Sequence, residues 1–349
     1  MMIMPDLTDP DRVRGTLYGQ AVGDCLGIPI EFKSKMWIAL KYGEEGAGPY
    51  QYEASRDFKK GEWSDDTAMA AAVLRTYLEH RKIAGKTAYS GAHGGYVTHG
   101  DVPELQDFAS AFWAWLIADG RGSGRLTRHV LTDPKFLTDP HGAAHRMWVR
   151  GKRNAAANGA VMRTSYVGLI RPMAPRSWTE KEAARVARVT HWDPRCVASA
   201  VAVSVAVSCL VTGQSIEEAI ESATYSASHY SEDVTAWMSK GLEELDLDEG
   251  LDDPNYEGRP PIGYTYKTLG AAFWALRQVD SGSSFMEILG QILWEGGDTD
   301  TNAAVAGAVL GAAMGASAIP TELIDGIYEK DKLEGFYQAL VGSPTDRDD

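Results

Sequence analysis

Apolar residues recur at helical spacing, i, i+3, i+4 and i+7, through most of the chain. The pattern predicts helices over 67–80, 104–118, 180–190, 195–212, 216–228, 234–245, 265–279, 284–294 and 302–314. Most of these segments are rich in Ala and Leu, which favour the helical state. Ser215 with Glu218 three residues later fits a capping box, and Ser177-Trp178-Thr179-Glu180 reads as the lead-in to another helix. Alternating β-branched runs are nearly missing. Residues 201–207 alternate Val with Ala or Ser, but inside a longer small-residue run that suits a buried helix. The expected fold class is all-α.

Gly- and Pro-rich stretches at 33–60, 85–102, 119–124, 246–262 and after Gly342 read as loops. Thr132-Asp133-Pro134 and Thr138-Asp139-Pro140 read as turn or cap chemistry. None of these stretches is long or biased enough for an interdomain linker, and no repeat marks a solenoid. One domain over 1–342 is expected, followed by a flexible tail at 343–349. The most apolar stretches, 197–211 and 303–319, fall short of the roughly 20 residues of a membrane span. Loaded with Ala, Gly and Ser, they read as buried core helices, so no membrane partner is expected.

Composition narrows the function. The 349 residues carry 34 Lys+Arg against 48 Asp+Glu, a net charge of −14. Nucleic-acid backbones and anionic membranes are gripped by clustered Lys and Arg, which this chain lacks, so a nucleic-acid partner is not expected. The same charge poses a question: an anionic substrate needs local positive charge from some other source. Cys25, Cys196 and Cys209 cannot all pair and form no C-x-x-C spacing. A disulfide framework or Cys-ligated zinc site is therefore not expected, which fits a reducing cytosol. The first residues lack a signal-peptide pattern, and a cytoplasmic location is expected.

Two short acidic clusters carry the candidate chemistry. Ser64-Asp65-Asp66-Thr67 and Asp298-Thr299-Asp300-Thr301 each open an Ala-rich helix after a Gly-containing turn. One acid per helix is explained by N-capping and the helix dipole. Two per helix are not, and the helix after Asp300 is apolar all round, so its start lies in the interior. Buried carboxylates need a counter-charge, yet neither segment 61–69 nor segment 295–312 contains Lys or Arg. Carboxylates with Ser and Thr hydroxyls form an all-oxygen donor set for a hard divalent cation, and two clusters point to two ions.

The segments GQAVGDCLGIPIEF (19–32), GEWSDDTAM (61–69), NGAVMR (158–163), THWDP (190–194), GYTYKTLGAAFWAL (263–276) and EGGDTDTNAAVAGAVLGA (295–312) occur in that order. Together they resemble the ADP-ribosylglycohydrolase family over nearly the whole chain. The resemblance implies a single compact orthogonal helical bundle with two Mg²⁺ or Mn²⁺ ions in a cleft. Ser64, Asp65, Asp66, Asp298, Asp300 and Thr301 would be the ligands. Glu31 would act on the attacking water, with Asp65 as a second catalytic carboxylate. Read by itself, Glu31 is a surface or helix-end acid, and Asp24 a structural residue fixing a Gly-rich turn. Asn158-Gly159, followed by Met162-Arg163, resembles the family's ribose/diphosphate loop, whose backbone N–H groups serve the diphosphate without positive side chains. His191 matches a contact to the distal ribose, and Tyr264 an aromatic against adenosine. In one respect the chain departs from the family. Where some members carry a proposed catalytic Asp, this sequence reads Gly122-Ser123-Gly124-Arg125-Leu126-Thr127, and Asp119 is the nearest acid.

The implied activity is hydrolysis at the distal ribose C1 of ADP-ribosylated substrates, with removal of mono-ADP-ribose from protein arginine the leading expectation. ADP-ribosylserine, O-acetyl-ADP-ribose, a non-catalytic ADP-ribose-binding homologue and another oxygen-ligated two-metal hydrolase remain open. The partner is an ADP-ribosylated protein or a small molecule containing ADP-ribose. Other signals carry less. His141 and His145 lack the Glu of a zinc-protease helix, no G-x-S-x-G occurs, and 246–253 lacks EF-hand spacing.

Overall fold

The computed structural model describes residues 8–43, 51–84, 102–247 and 262–342. Most of the expected loops at 85–102 and 246–262, and the tail at 343–349, lie outside the described residues. In chain order the helices are α1 (Pro10–Gly27), α2 (Lys35–Tyr42), α3 (Asp65–Ala84), α4 (Leu105–Ala118) and α5 (Arg125–Leu131). They continue with α6 (Pro140–Arg150), α7 (Arg176–Ala187), α8 (Pro194–Val211), α9 (Ile216–Ser228) and α10 (Val234–Glu243). The last are α11 (Thr265–Asp280), α12 (Phe285–Trp294), α13 (Thr299–Met314), α14 (Thr321–Asp325) and α15 (Lys330–Val341). The only sheet among the described residues pairs β1 (Lys33–Ser34) antiparallel with β2 (Gly296–Gly297). The fold is all-α, as the periodicity predicts.

Core and caps follow the chemistry. α8 and α13 are buried along almost their whole length. α8 is long and apolar enough to cross a membrane, but 89% of it is buried inside the protein. Ser215 and Glu218 close the expected capping box of α9. Asp139 caps α6 by accepting from the Gly142 N–H at 3.0 Å. α7 begins at Arg176, so Ser177 and Thr179 lie within its first turn rather than ahead of it.

The sequence pattern does not predict α1, yet α1 positions the site. Its glycines at 15, 19, 23 and 27 fall on one face, one helical turn apart. That face lies against α13. A Cβ on Gly19 would collide with the Gly307 carbonyl, one on Gly23 with the Ala303 carbonyl, and one on Gly27 with the backbone of Asp300. The two helices touch backbone to backbone, which only glycine permits. This contact brings the C-terminal end of α1 beside the N-terminal end of α13. The Gly23-Asp24 segment is therefore helix interior and not a turn. α2 likewise occupies part of the stretch expected as a loop at 33–60.

Candidate active site

Asp24 joins two helices. From α1 it accepts the Ser64 N–H at 2.9 Å through Oδ1. Through Oδ2 it accepts the Thr67 N–H at 3.0 Å and the Thr67 hydroxyl at 2.7 Å. It thus caps the start of α3 from another element, satisfying N–H groups that a helix leaves without partners. Burial raises its carboxyl to about 6 even though these bonds pull the other way. The structural role expected for Asp24 is real, but its object is α3.

The acids from both clusters meet, although they lie far apart in sequence. Asp24, Asp66 and Asp300 bring three carboxylate oxygens within 4.8 Å of one another, and so do Glu31, Asp298 and Asp300. Asp300 belongs to both sets. Ser64, Asp65, Asp66, Asp298, Asp300 and Thr301 are all buried. The Ser64 hydroxyl donates to Asp66 Oδ2 at 2.9 Å, and the Thr301 hydroxyl reaches the same oxygen at 3.4 Å. Asp66 Oδ1 is buried without a hydrogen-bond partner. Asp65 stands in neither triad; its Oδ1 lies where a Cβ on Gly122 would fall. Burial, then mutual repulsion, pushes Asp65, Asp66 and Asp300 well above the usual carboxylate range. Such a cluster is costly without cations and suited to hold them, because hard divalent ions prefer carboxylate and hydroxyl oxygens.

Glu31 enters from the segment after α1. Its carboxyl is half-buried and raised to about 8, chiefly by burial and then by Asp298 and Asp24. The next residue holds the aim. Phe32 adopts φ 58°, the left-handed region that bulky residues avoid, and its N–H donates to the Gly297 carbonyl at 2.8 Å. The chain then pairs with Gly296–Gly297 just ahead of Asp298. Strain of this kind, about 1–3 kcal/mol, clusters at functional sites.

A second wall forms from 155–163, 190–195 and the start of α11. Asn158 Nδ2 donates to Asp298 Oδ2 at 2.6 Å and to the Thr268 hydroxyl at 3.1 Å. A Cβ on Gly159 would stand 2.8 Å from His191 Cε1, so the imidazole lies directly on this glycine. His191 is buried, with Nδ1 2.7 Å from the Thr190 hydroxyl and Nε2 unpartnered. Burial and the nearby Arg163 lower its pKa, keeping the ring neutral. Tyr264 is half-buried, edge-on to Trp237 and Tyr266, with the Arg195 guanidinium 5.9 Å from its ring centre. The Asn158 N–H donates to Gly263 at 2.9 Å, joining Asn158 and Tyr264 in one strip of wall. Asp119 does not join the site. It pairs with Arg121 at 2.5 Å.

Residues 5–349 match the ADP-ribosylglycohydrolase family model. The chain belongs to the ADP-ribosylglycohydrolase family. An uncharacterised protein of Archaeoglobus fulgidus is 27% identical, over 93% of this chain and 94% of its own length. ADP-ribosylarginine hydrolase Tri1 of Serratia proteamaculans is 24% identical, over 99% of this chain and 83% of its own length. A solved structure described as an ADP-ribosylglycohydrolase-related protein complex matches with a TM-score of 0.67 at 24% identity. The match spans 95% of this chain and 97% of that one, and supports the all-α fold.

The protein is thus a glycohydrolase acting on ADP-ribosyl groups, and its acidic clusters have the oxygen-donor groupings that could hold a metal ion. Two features are not foreseen from the sequence: the burial of Arg163 and the conformation of Phe32. Arg163, in the NGAVMR segment, is the largest fully buried side chain of those described. Its signal was a lone cation inside an apolar run, where charged residues are rarely buried. Phe32 gave no signal, because its conformation follows from pairing with Gly297.

Proposed function

We propose that this glycohydrolase removes mono-ADP-ribose from protein arginine by hydrolysing the N-glycosidic bond at the distal ribose C1. The sharing of Asp300 between two carboxylate triads, one containing Glu31, carries the reading. The name of the Serratia relative supports arginine as the acceptor.

Two divalent cations, Mg²⁺ or Mn²⁺, fit the donor set, with Ser64, Asp65, Asp66, Asp298, Asp300 and Thr301 to hold them. The unpartnered Asp66 Oδ1 and the shared Asp300 support that fit. When bound, such ions offset the acids and make water a better nucleophile. Glu31 takes a proton from the water that attacks C1. The C1–N bond breaks with its electron pair on the guanidino nitrogen. Glu31 then returns the proton to that nitrogen, and arginine leaves as its guanidinium. Asn158 and Gly159 line the path of the diphosphate, His191 that of the distal ribose, and Tyr264 that of the adenosine. A cytoplasmic location belongs to the same proposal, supported by three free, buried cysteines.

The test is release of ADP-ribose from defined ADP-ribosylarginine, ADP-ribosylserine and O-acetyl-ADP-ribose substrates. Arginine should be cleaved fastest. A preference for serine or the acetyl ester would overturn arginine as acceptor.

A further inference from the structure

One stretch beside the site is built unlike the rest of the surface. Of the ten exposed large hydrophobic side chains among the described residues, four lie between positions 32 and 40: Phe32, Met36, Trp37 and Leu40. The other six are scattered along the chain. Single exposed apolar residues are ordinary, whereas a contiguous apolar patch marks a binding surface. Met36, Trp37 and Leu40 share one side of α2. Ile38, about 200° round the helix from Met36 and Leu40, is the buried anchor. Leu40 stands 82% exposed, so it adds nothing to that anchorage.

The patch is held in place. Lys33 and Ser34 pair with Gly297 and Gly296, just ahead of Asp298. The Ser34 hydroxyl accepts the Trp37 N–H at 3.2 Å, and the Lys35 ammonium pairs with Glu295 at 2.5 Å. At the far end the Tyr42 hydroxyl donates to Glu53 at 2.9 Å. A surface already ordered has less to lose on binding. Its rim is basic. The Lys33 and Lys41 ammonium groups each lie 5.4 Å from the Trp37 ring centre. Lys41 also pairs with Glu53 at 2.6 Å, but Lys33 forms no ion pair among the described residues. In a protein of net charge −14, this corner suits a partner that brings apolar side chains and an acid.

Position names the occupant. Glu31, directly before Phe32, serves the proton at the attacking water and at the departing guanidino nitrogen. The ADP-ribose half lies along the second wall, by Asn158, Gly159, His191 and Tyr264. The chain that carries the modified arginine therefore passes Phe32 and α2.

We propose that the surface at 32–40 receives the polypeptide bearing the ADP-ribosylarginine and selects arginines flanked by apolar and acidic residues. This inference rests on the functional reading above and adds to it a choice of sequence around the acceptor. The eight residues of α2 span about 12 Å, which an extended peptide covers in about four residues.

The test uses the full chain in Mg²⁺, with free ADP-ribosylarginine and three peptides of equal length as probes. Each peptide is ADP-ribosylated on one central arginine. The first carries Leu, Phe and Glu within about four residues of it, the second Ser and Gly there, and the third Leu and Phe with Lys in place of Glu. Wild-type kcat/KM should be about tenfold higher on the first than on the second, as burial of an apolar side chain gives, with the third between. Leu40→Gln, which keeps helix propensity, should lower the first peptide about fivefold, through KM. It should leave free ADP-ribosylarginine within about twofold and the melting temperature unchanged, since the side chain is exposed. Leu40→Glu should lower the first peptide further, by repelling its acid.

Equal wild-type rates on the three peptides overturn the proposal. So does a Leu40→Gln variant that keeps the full preference, or one that loses as much on free ADP-ribosylarginine as on the peptide. A dimer in sedimentation that Leu40→Gln dissociates, with peptide rates unchanged, assigns the face to a second copy and overturns it too. Cleavage of free ADP-ribosylarginine without peptide preference sinks this inference alone. A wild-type protein that cleaves none of the four probes refutes the functional reading, and this inference with it.

Discussion

Gly19 and Gly307 face each other so closely that a Cβ on either would collide with the carbonyl oxygen of the other. The carboxylate site depends on this contact, because it sets Asp24 and Glu31 against Asp298 and Asp300. Gly19→Ala or Gly307→Ala should cost about 1–3 kcal/mol or more, the range for overpacking against backbone that cannot yield. Gly335→Ala, inside α15 where a Cβ meets nothing within 4 Å, should instead stabilise by about 0.5–1 kcal/mol. Thermal melts of the three variants check the opposite signs.

That contact also shows what the sequence hides. α1 is buried on nearly all sides, so its apolar residues have no single stripe, and glycine at every fourth place lowers helix propensity. A periodicity search passes over it. The acidic clusters were legible because excess acids at the start of an apolar helix violate a simple rule for caps. Their convergence with Glu31 was implied only by the family resemblance, because physically it depends on α1 and on the left-handed turn at Phe32. Arg163 was visible as a residue but not as a buried one.

Asp24 should prove structural in a measurable way. Asp24→Ala removes the acceptor of three hydrogen bonds at the start of α3. A loss of about 2–4 kcal/mol is expected, since bonds to a charged acceptor outweigh the repulsion relieved. The melting temperature should fall with and without added Mg²⁺.

Asp300 should behave in the opposite way. Burial, and then repulsion from Glu31, Asp66, Asp298 and Asp24, raises its pKa well above the usual carboxylate range. Asp300→Asn should stabilise the chelator-treated protein by about 0.5–2 kcal/mol, as relief of a strained functional site does, and abolish turnover. Melting in EDTA beside an activity assay checks both halves.

The pH dependence has a definite sign. Glu31 rises from 4.5 to about 8 on folding, and Asp24 from 3.8 to about 6. The folded state therefore holds more protons, and the stability these groups contribute is present below their unfolded values and lost as pH rises. In EDTA the melting temperature should fall between about pH 5 and pH 8, as Glu31 and its neighbours ionise. Mg²⁺ at about 100 times its Kd should restore roughly 2.7 kcal/mol, most visibly at the alkaline end. A flat profile in EDTA would show that the acids are not strained.

Glu31→Gln keeps the shape of the side chain but cannot take a proton. A loss of about 10²–10⁴-fold in kcat, with KM little changed, is expected of a general base. Steady-state kinetics on ADP-ribosylarginine provide the check.

The most direct measurement is release of ADP-ribose from mono-ADP-ribosylated arginine, followed in Mg²⁺ or Mn²⁺, after EDTA, after re-addition of metal, and in Asp300→Asn. Activity should vanish with EDTA, return with metal and remain absent in the variant. Undiminished release in EDTA and in Asp300→Asn would contradict a hydrolase built on the shared carboxylate.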